Sequence, residues 1–73
     1  MNTDQAKDDN LKLIRLPEVM ERTGLARPTI YRAVARQQFP KPVKFGSATS
    51  WVSHEVENWI RARMDARMES AAA

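Results

Sequence analysis

The sequence predicts a mainly α fold with a small β-hairpin, built as one domain of 73 residues. Three observations predict it: two helical segments separated by a very short turn at Gly24, a central segment with two prolines that excludes helix, and an apolar stripe at helical spacing near the C-terminus. Because a chain of this length buries only a small core, a second domain is excluded.

The first segment is expected to enter the fold as a short strand. Residues 1–10 are polar and acidic with no apolar face to bury, so they are predicted to form a disordered lead. The following "LKLIRL" alternates its side chains between two faces, which places Leu13 opposite Ile14. This alternation favours a short strand or an extended segment.

A first helix is predicted to begin at Pro17, which suits the first helical position because its missing N–H is not needed there. Glu18 lies near the positive end of the helix, and Val19 and Met20 are expected to face inward. Gly24 then ends the helix, since glycine adopts the left-handed conformation that helix ends use.

A second helix is predicted to begin within Ala26 to Pro28, and its side chains divide into two faces at about 100° per residue. The apolar face consists of Ile30, Ala33, Val34 and Gln37. The opposite face, which is basic, small and hydroxylated, consists of Pro28, Thr29, Arg32, Ala35 and Arg36. Tyr31 lies between the two faces, where its ring can pack while its hydroxyl contacts a ligand.

A hairpin and a final helix complete the prediction. Pro40 and Pro42 exclude helix, and the chain then alternates as a strand over 43–45, turns over 46–49 and returns as a second strand through "SWV". Ser53 is a suitable N-cap for the final helix. The predicted buried stripe of this helix is Val56, Trp59, Ile60 and Met64. The folded domain is therefore expected over residues 11–64, followed by a helix end and frayed tail over 65–73.

The charges are distributed unevenly along the chain. The net charge is only +3, yet no carboxylate occurs between Glu21 and Glu55. The basic residues in this interval are Arg22, Arg27, Arg32, Arg36, Lys41 and Lys44. A concentrated positive field attracts polyanions, and the phosphate backbone of nucleic acid is the commonest such partner in a cell.

The residues do not support an active site, so no enzyme activity, metal or cofactor is predicted. His54 lies in "HEVEN", but the position four residues later is Asn58, so the two-histidine zinc pattern is absent. The chain has two glycines and no cysteine, which excludes a phosphate-cradling glycine loop and thiolate chemistry. Trp51 and Trp59 follow the apolar pattern and are predicted to lie in the core.

Two helices joined by a tight glycine turn, followed by a basic hairpin, match the winged helix-turn-helix arrangement, in which the second helix enters the major groove of DNA. The segment over residues 13–60 also resembles the AlpA-like phage regulators, which are related to excisionases and to MerR-type proteins. The matching motifs are "RLPEV" (15–19), "TGL" (23–25), "TIYR" (29–32), "FPKPVKFG" (39–46) and Trp51 with "EVENWI" (55–60).

This resemblance implies a DNA-binding transcriptional regulator encoded by a prophage or an integrated element, acting in the cytoplasm at the nucleoid. The resemblance also implies that a basic residue commonly stands where this chain has Ser50, so one wing contact is missing. The residues predicted to contact DNA are Arg27, Pro28, Thr29, Tyr31, Arg32, Arg36, Lys41 and Lys44.

Three functional alternatives remain open at this stage. The first is the sequence-specific regulator, with double-stranded DNA, further copies of the chain and RNA polymerase as partners. The second is an excisionase-type architectural factor that bends DNA and recruits an integrase. The third is a protein interaction module whose basic face meets an acidic protein. No membrane and no small-molecule substrate is expected for any of them.

Overall fold

The computed structural model describes residues 12–72, with side chains through Met68, and these residues form three helices and three strands. In chain order the elements are β1 (Leu13–Arg15), α1 (Leu16–Thr23), α2 (Arg27–Ala35), β2 (Val43–Phe45), β3 (Ala48–Val52) and α3 (Ser53–Ala72). The predicted disordered lead over 1–10 lies outside the described residues, and the domain boundary at residue 64 remains a prediction.

The predicted hairpin is present, but it belongs to a three-stranded antiparallel sheet in the order β1-β3-β2. Strand β1 pairs with β3 so that Ile14 lies beside Trp51, and both side chains are buried. A two-stranded hairpin alone is marginally stable in water, and the third strand supplies the additional pairing and apolar area. The turn is also shorter than predicted: Gly46 and Ser47 form it, and β3 has begun by residue 48.

Helix α1 follows the prediction closely. It begins at Leu16, one residue before Pro17, and it ends at Gly24, whose φ of 74° is left-handed. The Gly24 N–H donates to the Met20 carbonyl at 2.8 Å, which satisfies a carbonyl at the helix end. Three residues then separate α1 from α2, so the turn between the helices is as tight as the sequence indicates.

Helix α2 ends earlier than the apolar periodicity suggests. Its last residue is Ala35, and Gln37, predicted on the apolar face, is exposed with a left-handed φ of 59°. The Gln37 N–H donates to the Val34 carbonyl at 3.0 Å, and the Gln38 N–H donates to the Ala33 carbonyl at 2.8 Å. This pair of bonds is a Schellman ending formed with glutamine at the position that glycine usually occupies.

The core lies between the helices and one face of the sheet. Its fully or nearly fully buried apolar side chains are Ile14, Val19, Ile30, Phe39, Trp51 and Val56. Trp59 and Ile60 pack against this cluster from α3, as predicted, but Met64 is 49% exposed. By residue 61 the helix has run past the core, and the side chains over 61–68 are all exposed. None of the helices in residues 12–72 combines the length and the apolarity needed to cross a bilayer.

Candidate nucleic-acid interface

Helix α2 lies with one face in the core and presents the other to solvent. Ile30 is completely buried, and Ala33 and Val34 pack partly buried against the same cluster. On the outward side Pro28, Arg32, Ala35 and Arg36 are exposed, and Thr29 is half-buried. Arg36 stands at the C-cap, directly after the helix, so it extends the basic surface beyond the last turn.

The predicted cations of this region have no acidic partner. They are Arg27, Arg32, Arg36, Lys41 and Lys44, and all are exposed. Within residues 12–68, the ion pair that the structure contains joins Glu18 to Arg22 on α1, at 2.6 Å, and none of these cations takes part in it. Their positive charge is therefore available to an external anion, since no carboxylate neutralises it.

The linker between α2 and β2 is fixed to the core by the two tryptophans. The Trp51 Nε1–H donates to the Pro40 carbonyl at 3.0 Å, and the Trp59 Nε1–H donates to the Gln38 carbonyl at 2.7 Å. Phe39 is buried between the indoles, with ring centroids 6.4 Å from Trp51 and 4.9 Å from Trp59 in edge-to-face contacts. The hairpin therefore starts from a defined position relative to the end of α2.

An open groove of about 780 Å³ joins the start of α2 to the hairpin. Arg27 and Tyr31 line it from α2, and Ser47 and Thr49 line it from the hairpin. Arg15, Leu16, Pro17 and Met20 complete its wall. Two guanidinium groups and several hydroxyls thus border one concave surface, which is the chemistry that phosphate oxygens require.

Tyr31 lies between the two faces of α2, where its side chain contacts both the core and the groove. Its ring centroid lies 6.2 Å from that of Trp51, and the residue remains 38% exposed at the groove. The ring therefore packs on the core while part of the side chain reaches solvent. Its contact with Trp51 was not predictable from periodicity, because the two residues are twenty positions apart in the sequence.

The structure brings some of the predicted residues together and leaves others apart. Arg27 and Tyr31 share the groove, whereas Lys41 lies on the linker and Lys44 on β2, outside the groove lining. Three further residues, Arg15, Ser47 and Thr49, line the groove although the sequence pattern did not predict them there. The available signal was the hydroxylated segment after Gly46, combined with an arginine directly before α1. Ser50 is buried, flanked in the sheet by Arg15 and Val43, so it makes no outward contact.

The histidine that the sequence singled out lies on the surface of α3. His54 is exposed, and its Nε2 lies 3.2 Å from the Asn58 amide nitrogen. Among the side chains described, those of residues 12–68, no group of three or more histidine, cysteine, aspartate or glutamate residues could hold a metal ion.

Comparison with known proteins places the chain in a family. The family model described as the prophage CP4-57 regulatory protein (AlpA) matches residues 12–64. The chain belongs to the AlpA family. The segment that matches the AlpA family model contains all three strands, the two short helices and the part of α3 that packs on the core.

Two AlpA-related sequences illustrate the similarity. An uncharacterized protein of enterobacteria phage P4, ORF88, is 37% identical over 57 residues, covering 77% of this chain and 65% of that protein. The DNA-binding transcriptional activator AlpA of Escherichia coli K12 is 32% identical over 60 residues, covering 73% of this chain and 86% of that protein. The chain thus spans just under two thirds of the phage P4 protein. No solved structure matches the chain.

Proposed function

We propose that this AlpA-family chain is a winged helix-turn-helix domain that binds double-stranded DNA and regulates transcription of a prophage or integrated element. One observation carries the proposal: the outward face of α2 is basic, lacks carboxylates and forms no ion pair within residues 12–68. The similarity to the E. coli protein AlpA, a DNA-binding transcriptional activator, supports the same conclusion.

In this proposal α2 enters the major groove and α1 braces it across the DNA backbone. Arg32 lies in the middle of the exposed face and has the guanidinium fork that pairs with O6 and N7 of guanine. Thr29 offers a methyl group suited to the thymine methyl, and Pro28 and Arg36 border the same face. Base contacts from this face provide the sequence preference.

Phosphate contacts set the position of the protein on the duplex. Arg27 and the Tyr31 hydroxyl border the groove between α2 and the hairpin, where one DNA strand passes in our proposal. Lys41 and Lys44 hold phosphates on the hairpin side. Because the tryptophan hydrogen bonds fix the linker, both sets of contacts are presented in one geometry.

A single domain of this size covers little DNA, so useful specificity requires two or more copies on repeated or inverted half-sites. We therefore propose homo-oligomeric binding on DNA and action at the nucleoid in the cytoplasm. RNA polymerase is the further partner of a regulator. The proposal includes no catalytic step, cofactor or metal.

The proposal is tested by measuring the affinity of the full chain for mixed genomic duplex fragments over a range of salt concentrations. Each phosphate that the protein neutralises contributes about −0.9 to the slope of log affinity against log salt. Binding that weakens steeply with salt supports the proposal. Absence of duplex binding would overturn it in favour of a protein interaction module. Selection of bound fragments from random DNA then identifies the preferred site. For arginine substitutions on α2, Arg22→Ala is the matched control, because Arg22 lies outside the proposed interface.

The excisionase-type alternative shares the DNA contacts but differs in bending the duplex and in recruiting an integrase. One observation favours this alternative: Phe45, an aromatic side chain at the end of the hairpin, is 85% exposed. A measurement of DNA bending therefore separates a mainly architectural role from one based on sequence recognition alone.

A further inference from the structure

Phe45 is an exposed aromatic side chain that the fold does not use. It is the last residue of β2, pairs with Ala48 of β3 across the Gly46–Ser47 turn, and is 85% exposed. It therefore lies at the tip of the hairpin. The other two aromatic residues of the linker and sheet, Phe39 and Trp51, are buried, so the exposure of Phe45 is not general to this region.

The hairpin tip has the charge and shape of a ribbon that enters a nucleic-acid groove. Lys44 adjoins Phe45 and projects to the other face of the ribbon, because neighbouring side chains alternate along a strand. Gly46 and Ser47 make the turn small, and Ser47 also lines the groove that Arg27 borders. The tip is thus adjacent to the start of α2 and carries no acidic residue.

Two exposed apolar side chains of β2, Val43 and Phe45, share one face of the strand, but Val43 is only 38% exposed against 85% for Phe45. Leu13, which is 50% exposed, pairs with Val52 at the far end of β3, whereas Phe45 pairs with Ala48. Four residues along a strand correspond to about 13 Å. The most exposed apolar side chain of the hairpin thus stands at its tip, beside a lysine and with no carboxylate, which favours a nucleic-acid groove over a second protein surface.

We propose that Phe45 is an apolar wedge that enters the minor groove beside the site bound by α2 and bends the duplex. This inference rests on the proposed DNA-binding function. Apolar side chains inserted from the minor groove unstack a base step and kink DNA by about 20–90° towards the major groove. The step at the hairpin is then expected to be a pyrimidine–purine step, since TA and CA steps unstack most readily.

The test compares DNA bending by the wild-type chain and by Phe45→Ala, Phe45→Leu and Leu13→Ala at saturating protein. The probes are a duplex selected from random DNA and a mixed-sequence duplex, each with fluorescent dyes at its ends for energy transfer. We expect Phe45→Ala to reduce the bend by about half or more, and Phe45→Leu to retain most of it. Leu13→Ala, which removes an exposed apolar side chain distant from the tip, should bend DNA as the wild type does.

The outcomes separate this inference from the proposed function. Binding of duplex by the wild type with equal bends for wild type and Phe45→Ala overturns the wedge and leaves the DNA-binding proposal standing. A Phe45→Ala variant that loses self-association in sedimentation but keeps the bend overturns the wedge in favour of contact with a second copy. Absence of duplex binding by the wild type overturns both. Because neither Phe45 nor Leu13 belongs to the core cluster or packs against it, circular dichroism should show all variants folded.

Discussion

Helices α1 and α2 begin alike, each with a proline in second position, yet they present their arginines differently. On α1 the Arg22 guanidinium pairs with Glu18 one turn earlier, at 2.6 Å. On α2 the exposed Arg32 has no such partner among the described residues. The same residue type therefore stabilises its own helix in one case and remains available to an external anion in the other.

On α3, Arg63 also has a partner inside the fold. The Arg63 guanidinium carbon lies 5.4 Å from the centre of the Trp59 ring, in a cation–π contact. Net charge counts Arg22, Arg32 and Arg63 equally, although two of them already have partners inside the fold. The candidate interface is therefore identified by the cations that lack a partner inside the fold, rather than by the total charge.

The largest effect on DNA binding is expected from placing a carboxylate on the exposed face of α2. Ala35 is exposed between Arg32 and Arg36, and glutamate forms helix nearly as well as alanine. Ala35→Glu should lower DNA affinity by several kcal/mol, roughly a hundredfold or more, because it sets a carboxylate against phosphate. Fluorescence anisotropy with a labelled duplex measures the change. Ala35→Gln, which adds the same length without charge, should bind far better, and equal losses for the two would contradict the electrostatic explanation.

Removing one unpaired arginine should have a smaller and more selective effect. Arg32→Ala is expected to cost about 1–3 kcal/mol on the selected duplex and to relax sequence preference at one position, if Arg32 contacts a base. Competition between selected and random duplexes measures both quantities. Equal losses on both duplexes would assign Arg32 to phosphate contact.

Removing a hairpin cation should weaken all sequences alike. Lys44→Ala is expected to lower affinity for selected and random duplexes by the same factor and to reduce the salt slope by about 1. Salt titrations of the wild type and the variant provide the measurement. A loss confined to one sequence would indicate that Lys44 reads a base.

The smallest effect on stability and DNA binding is expected from breaking the ion pair between Glu18 and Arg22 on α1. Glu18→Gln removes the ion pair, whose partners are 34% and 40% exposed, and should lower stability by at most about 1 kcal/mol. Thermal unfolding measures this change. DNA affinity should shift by less than about twofold, since Arg22 lies outside the proposed contacts. A large gain in affinity would show that Arg22, once released from Glu18, contacts the DNA backbone that α1 crosses.

Much of the fold was predictable because local chemistry determines it. Gly24 ends α1 in the left-handed conformation that its lack of a side chain allows, and the alternation predicted that Leu13 and Ile14 lie on opposite faces of β1, of which the structure buries Ile14. The spacing of Ile30 and Val34 likewise predicted which face of α2 is buried. The face carrying Arg32 followed from the same helical period, and the structure places it outward.

The remaining features depend on contacts distant in sequence. Gln37 ends α2 in a left-handed conformation that glycine usually adopts, so composition gave no indication of the stop. Pairing of β1 with β3 requires residues about forty positions apart to meet, which periodicity does not report. The groove contacts of Arg15 and Thr49 follow from that pairing. Met64 continued the apolar stripe on α3, but nothing in the stripe shows where the core ends.

The two indole hydrogen bonds to the linker have a consequence for recognition. Because Trp51 and Trp59 hold the Pro40 and Gln38 carbonyls, the hairpin is preorganised relative to α2 before any ligand arrives. Association with DNA then immobilises few additional backbone torsions, and α2 and the hairpin bind as one rigid unit. Inserting one residue into this linker would change the distance between α2 and the hairpin, and with it the spacing of the DNA features that the domain accepts.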